Sequence, residues 1–467
     1  MLFVEPRFFV FFAVVAALYW AIRTNAPRKY LLLAASYGFY AVWDVRFLSL
    51  ILFCTALNYV VARYYVAPGH PRAKLAFWIA IWGNLAVLAL FKYFNFFADS
   101  LVDLASLGGV TLTHSTLNIV LPVGISFYTF QAMSYLIDVR RKDIQAETSF
   151  TNVALYIAFF PQLVAGPIVR AADFLPQLKR ARIRADVAIQ PALILFMLGF
   201  IKKACISDNI APFVDEIFAN PAAYTTEAVI SGVLLYGVQI YCDFSGYSDM
   251  AIATAMLLGY QFPKNFDAPY LSSSITIFWR RWHISLSSWL RDYLYIPLGG
   301  NRLSAAKRDR NLMTTMVLGG LWHGASYNFL IWGFLHGLAL IVNREWARRF
   351  AFLKGKIPLA DLWGTLATIY WVFLAWIFFR AETLPEAWQI AVTWLTLHSP
   401  GTDDMAFAAW PFLIGFAGIH FLGHRYNVLE RAERAPLEPF AALYGAVAAL
   451  AIAFLPTGYR PFVYFQF

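Results

Sequence analysis

Apolar stretches, separated by short loops that carry most of the arginine and lysine, recur from one end of the chain to the other. Inside a bilayer only helices and closed barrels satisfy every backbone N–H and C=O. A helix of ~20 apolar residues crosses the hydrocarbon core. Of the 467 residues, 60% are hydrophobic and 14% are charged, whereas a soluble domain carries about 25% charged residues. The chain therefore reads as an all-α, multi-pass membrane protein. No long polar stretch, low-complexity linker or internal repeat breaks the pattern, so residues 1–467 read as one integral membrane domain. The first apolar segment, Phe8 to Ile22, lacks a small-residue cleavage site and is expected to be a retained helix. Cys54, Cys205 and Cys242 lie far apart and form neither a disulfide framework nor a metal-spaced pair. The net charge of +10 points to no nucleic acid, because the basic residues cluster in loops between spans, as the positive-inside rule requires.

Loop charge assigns sides. Arg23, Arg28 and Lys29, then Arg63, Arg72 and Lys74, place the first and third loops in the cytoplasm. Lys74 to Phe97 crosses outward and Leu117 to Val139 returns to Arg140, Arg141 and Lys142. Leu155 to Val169, broken by Pro161, Gly166 and Pro167, reads as re-entrant. Ala188 to Ile206 leads out to an acidic loop with Asp208, Asp215 and Glu216. Ile230 to Cys242 returns, and Met250 to Tyr260 is a further candidate segment. Residues 261–310 are basic and amphipathic, suited to the cytoplasmic interface. Leu362 to Phe379, Phe407 to Gly423 and Leu443 to Pro456 complete about ten to twelve spans, with both termini outside; 390–397 is too short to place.

Three stretches carry candidate chemistry. In MTTMVLGGLWHGASYNFLIWGFLHG, His323 sits at the tip of an apolar hairpin. Its arms, about Leu312 to Trp322 and Phe329 to Val342, are each shorter than a spanning helix, and Gly319, Gly320 and Gly324 allow a turn and close backbone approach. An ionisable residue at membrane depth is by default a functional candidate; the plainer alternative is a histidine bonded to a nearby carbonyl. His336, on the second arm, is better read as packing. In SSSITIFWRRWHISLSSWLRDYLYIPLGGNR, the aromatic residues suit the headgroup level. Arg280, Arg281, Arg291 and Arg302, with Asn301, either anchor anionic lipid or hold a polyanionic donor at a cytoplasmic mouth, since guanidinium bonds two phosphate oxygens at once. Asp243, Ser245 and Asp249 close an apolar span in YGVQIYCDFSGYSDM, either as buried groups that need partners or as a helix cap with a solvated turn.

The phrases FWRRWHISLSSWLRDYLYIPLGGNR and LGGLWHGASYNFLIWGFLHG, supported by LPVGISFYTFQAMSYLIDVRR, FFPQLVAGPIVR and YCDFSGYSDMAIA, resemble the alginate O-acetyltransferase branch of the membrane-bound O-acyltransferases. The resemblance covers about 118–337 and the extreme C-terminus. It implies many helices around a funnel or tunnel, with re-entrant and interfacial pieces. It also implies a catalytic histidine at His323, a second family histidine at His283, and acetyl-CoA as donor substrate, with no resident cofactor or metal. A histidine in a dry tunnel can take the proton of an alcohol and return it to the departing thiolate. The tail 457–467 ends PFVYFQF, where Phe462, Tyr464 and Phe467 fit a Phe-x-Tyr-x-x-Phe ending. It is similar to that of the small companion protein of bacterial D-alanylation, whose tyrosine is thought to carry the acyl group. A phenol, with pKa ~10, forms an ester that keeps much of a thioester's activation; alternatively the aromatics are an interfacial anchor.

The expected function is therefore transfer of acetyl from cytoplasmic acetyl-CoA across a bacterial inner membrane for O-acetylation of an exported polysaccharide. A periplasmic or cell-surface acetyltransferase is the expected partner. Direct transfer to peptidoglycan, cellulose or teichoic acid is the nearest rival. A transporter without acyl chemistry is the rival from another class, although transporters commonly show repeated halves. A passive scaffold is a third.

Overall fold

The computed structural model describes residues 1–110, 120–164, 166–353, 358–426, 428–456 and 458. Among them the chain is helical and forms no strand; one isolated bridge pairs Tyr224 with Asp403. Among the described residues, five helices are long and apolar enough to cross a membrane: Val45–Val66, Ala73–Leu107, Ile189–Ala219, Thr226–Leu257 and Ala360–Arg380. Pro6–Ala21 and Leu437–Ala453 are shorter apolar helices. Large apolar side chains such as Leu75, Trp82 and Trp363 remain exposed on these helices, the surface expected of a protein solvated by lipid. The all-α, multi-pass reading of the sequence holds.

The chain divides into two compact units, Met1–Ala192 with Ala251–Pro263, and Leu193–Met250 with Lys264–Phe467. In the first, the stretch expected to be re-entrant is broken as the sequence suggested. Helix Phe150–Ala158 stops at Phe159, and a four-residue helix, Phe160–Leu163, begins with Pro161 in its first turn. Phe160 packs among Phe11, Phe12 and Phe39, and every residue from Asn152 to Val164 is buried. Arg28, a loop marker in the sequence, is itself buried. Its guanidinium lies over the rings of Tyr19 and Trp20 and donates to the carbonyls of Ile22 and Arg182.

The second unit corrects two local readings. The segments expected at Ile230 to Cys242 and Met250 to Tyr260 are one helix, Thr226–Leu257, of 32 residues. At 1.5 Å per residue this is ~48 Å, longer than the hydrocarbon core. Asp243 and Ser245 therefore stand near its midpoint, where a cap and solvated turn are excluded, and both are fully buried. The acidic loop after Ile206 is helical too: Ile189–Ala219 continues through Asp208, Asp215 and Glu216. Asp208 reaches back to Lys203, Asp215 accepts from Arg380 and Glu216 from the Tyr224 hydroxyl.

The histidine hairpin is built from full helices, Ala305–His323 and Tyr327–Arg349. Both arms extend beyond their apolar stretches through charged residues. At that end Arg308, Asp309, Arg344, Glu345 and Arg348 join the two helices in an ion-pair network. Glycine lets the arms meet. A Cβ on Gly320 would strike the Phe329 carbonyl, and one on Gly333 would strike the Met316 carbonyl. Small residues at such seams let membrane helices pack backbone to backbone. The basic, aromatic stretch folds as short helical pieces, among them Ile275–Arg281 and Ile284–Leu290.

Candidate active site

His323 is the last residue of its helix and is buried. The turn that follows depends on Gly324, where any Cβ would run into the Phe329 ring. Aromatic rings wall the imidazole, among them Trp322 at 4.9 Å, Trp332 at 4.9 Å and Phe379 at 5.1 Å between centroids. Trp332 comes from the second arm of the hairpin and Phe379 from Ala360–Arg380. Asn328 holds that last helix to the hairpin tip by donating its amide to the Ala381 carbonyl, 2.9 Å.

His283 lies between the two short interfacial helices, in the left-handed region at φ 42°, ψ 56°, a conformation that is strained for a residue with a side chain. Its ring is fully buried against Phe244 and Phe266. Burial lowers its pKa to about 3, because an apolar site disfavours the charged ring; the imidazole is neutral at physiological pH. Its Nδ1 is 3.2 Å from Asn265 Oδ1. The ring centroid is 6.2 Å from that of Trp322, the indole that also flanks His323. The two histidines singled out in the sequence are thus brought to one side chain, although 40 residues separate them.

His336 is also fully buried and is fenced by Phe278, Trp279, Trp332 and Trp376. Trp332 lies against both His323 and His336. Of the residues expected to meet a polyanion, Arg280 and Arg302 are exposed. Arg281 donates to the Leu271 carbonyl, Arg291 pairs with Asp292 at 2.6 Å, and Asn301 accepts from the Tyr295 hydroxyl. Tyr464 and the rest of the aromatic ending lie outside the described residues.

Sequence reasoning missed two features of this unit. The first is an ion cluster, buried around Lys203 and half-buried at Lys202. Lys203 pairs with Asp243 at 2.6 Å and with Asp208 at 2.7 Å, and the neighbouring Lys202 pairs with Asp249 at 2.7 Å. The signal was present in LGFIKKACIS, since lysines in an apolar run demand carboxylate partners. The second is Asn265, 1% exposed, whose only sequence signal was a polar side chain between Phe262 and Phe266.

In this multi-pass helical protein His323, His283 and His336 are all buried among aromatic rings, and the first two share a contact with Trp322. The chain belongs to the membrane-bound O-acyltransferase family, whose model matches residues 30–381, and it is an O-acyltransferase. Its relatives include the "Probable alginate O-acetylase AlgI" of Azotobacter vinelandii, 43% identical over 82% of this chain and 75% of the relative. The protein of the same description from Pseudomonas aeruginosa is 43% identical over 82% of this chain and 72% of its own length. The "Peptidoglycan O-acetyltransferase" of Helicobacter pylori is 36% identical over 88% of this chain and 83% of the relative.

Proposed function

We propose that the protein passes acetyl groups from cytoplasmic acetyl-CoA across the bacterial inner membrane for O-acetylation of an exported, alginate-like polysaccharide. The observation that carries this reading is the meeting of His323 and His283 at Trp322 in a buried aromatic setting. His323 takes the proton of an attacking hydroxyl. The oxygen adds to the thioester carbonyl, the C–S bond breaks, and the imidazolium returns the proton to the departing thiolate. The helix Tyr327–Arg349 starts four residues after His323, and Ser326 makes no side-chain cap there. The N-terminal end of a helix favours negative charge, which suits it to the charge that develops on the carbonyl oxygen.

His283 orients the donor or shuttles a proton. Arg280, Arg281, Arg291 and Arg302, with Asn301, receive the phosphates of the donor, a role that suits the fork of guanidinium. Tyr464 accepts the acetyl group first and hands it to an extracytoplasmic acetyltransferase, because a phenyl ester stays activated enough for onward transfer. Direct transfer to peptidoglycan is the second reading, favoured by the Helicobacter pylori relative, which matches 88% of the chain.

Giving purified protein isotope-labelled acetyl-CoA and sequencing its C-terminal peptide by mass spectrometry tests this scheme. Label on Tyr464 of the wild type and none in His323→Ala is the expected result. Acetyl transfer to added polysaccharide with Tyr464 unlabelled removes the tail relay and leaves direct transfer. No consumption of acetyl-CoA at all refutes the acetyl-CoA reading.

A further inference from the structure

Asn265 is buried in the loop that joins Thr226–Leu257 to the interfacial helices, and it clamps the strained segment 283–285. Its main-chain carbonyl accepts from Ile284 N–H at 2.9 Å. Its side-chain Oδ1 faces Ser285 N at 3.1 Å, Ser285 Oγ at 2.8 Å and His283 Nδ1 at 3.2 Å. On the other side, Asn265 Nδ2 meets Ser248 Oγ at 3.0 Å.

These contacts decide which ring nitrogen carries the proton. A main-chain N–H can only donate, so the Asn265 atom it meets is the oxygen, which fixes the orientation of the amide. The Ser285 hydroxyl has one hydrogen. It lies 2.8 Å from Asn265 Oδ1 and 3.4 Å from His283 Nδ1, so the shorter bond takes it. A nitrogen lone pair aimed at a carbonyl oxygen would be repulsive; His283 Nδ1 therefore carries hydrogen and donates. In a neutral imidazole the lone pair then sits on Nε2.

We propose that Asn265 is a positioning residue that locks His283 in the Nδ1–H tautomer, so that Nε2 accepts a hydrogen bond from an N–H or O–H of the bound acetyl donor or acceptor. The catalytic part of this inference rests on the reading of His283 given under Proposed function; the tautomer itself does not. The αL backbone at His283 and the clamp on residues 283–285 serve one end, a ring fixed in both direction and protonation.

Histidine-selective 15N NMR on the full-length protein in detergent reads the tautomer directly, with the His283 signal assigned by its loss in His283→Gln. Nδ1 protonated and Nε2 bare is the expected wild-type state, and the reverse overturns the proposal. Asn265→Ala should release the lock, giving mixed tautomers and a kcat lowered about ten-fold or more with a smaller change in KM. Asn265→Asp keeps the acceptor oxygen and should restore the Nδ1–H state and most of the activity. Ser248→Ala, which leaves Oδ1 untouched, should preserve the tautomer, and it keeps the test decisive where Asn265→Ala does not fold. An unchanged tautomer in folded Asn265→Ala refutes the lock. A changed tautomer with unchanged kcat refutes the catalytic role of His283 and leaves the lock standing.

Discussion

Lys203 is the residue on which charge balance in the second unit turns. Its ammonium is buried and bonded to Asp243 and Asp208. Breaking a buried ion pair by removing one partner leaves the other charge without compensation and is destabilising by about 3–5 kcal/mol. Lys203→Met removes the ammonium shared by two buried carboxylates and should sharply lower the thermal denaturation midpoint in detergent. Asp243→Asn leaves the bond to Asp208 and should cost less. Combining Lys203→Met with Asp243→Leu and Asp208→Asn should recover most of the loss. The charges were visible in the sequence but their pairing was not, because 40 residues separate Lys203 from Asp243 and only the packing of Ile189–Ala219 along Thr226–Leu257 joins them. His323 was legible for the opposite reason: its surroundings, Trp322, Gly324 and the apolar arms, are local. Asn265 acts on His283 from 18 residues away through a loop, and no periodicity marks such a contact.

At the scale of elements, the hairpin Ala305–His323 with Tyr327–Arg349 positions the site, and its glycines set how closely the arms approach. Gly333→Ala places a methyl group against the Met316 carbonyl. Overpacking of this kind costs typically ~1–3 kcal/mol, so the variant should melt earlier. It should also lose turnover, since Trp332, which lies against His323, is next to the shifted position. By contrast, helix Leu384–Thr396 starts with a capping box between Thr383 and Glu386. Thr383→Ala should lower stability by ~1 kcal/mol and leave turnover per folded molecule unchanged. That helix fell in the segment that hydropathy alone did not place; its signal was the spacing Thr-x-x-Glu, which reports a helix start even where the apolar run is short. Hydropathy likewise split Thr226–Leu257 at its polar centre, because a buried ion pair looks like a loop when its partner lies elsewhere in the chain.

For the whole molecule, the alternation of apolar runs and basic loops was enough to read an all-α membrane protein, while the way the histidines converge depends on tertiary packing. The basic stretch 280–302 supplies a prediction at this scale. Arg280 and Arg302 are exposed, so Arg280→Gln with Arg302→Gln should raise KM for acetyl-CoA several-fold and leave kcat nearly intact. Added salt should raise KM in the wild type more than in the double variant, since screening weakens exposed charge interactions. A lipid-anchoring role would instead alter membrane association and leave KM unchanged.

The most direct test is acetyl-CoA consumption by the purified wild type and by His323→Ala, each checked for an unchanged circular dichroism spectrum and melting temperature. A general base contributes about 10²–10⁴-fold, so turnover should fall at least a hundred-fold in the folded variant. Turnover within a few-fold of wild type in folded His323→Ala would contradict His323 as the base on which the proposed chemistry depends.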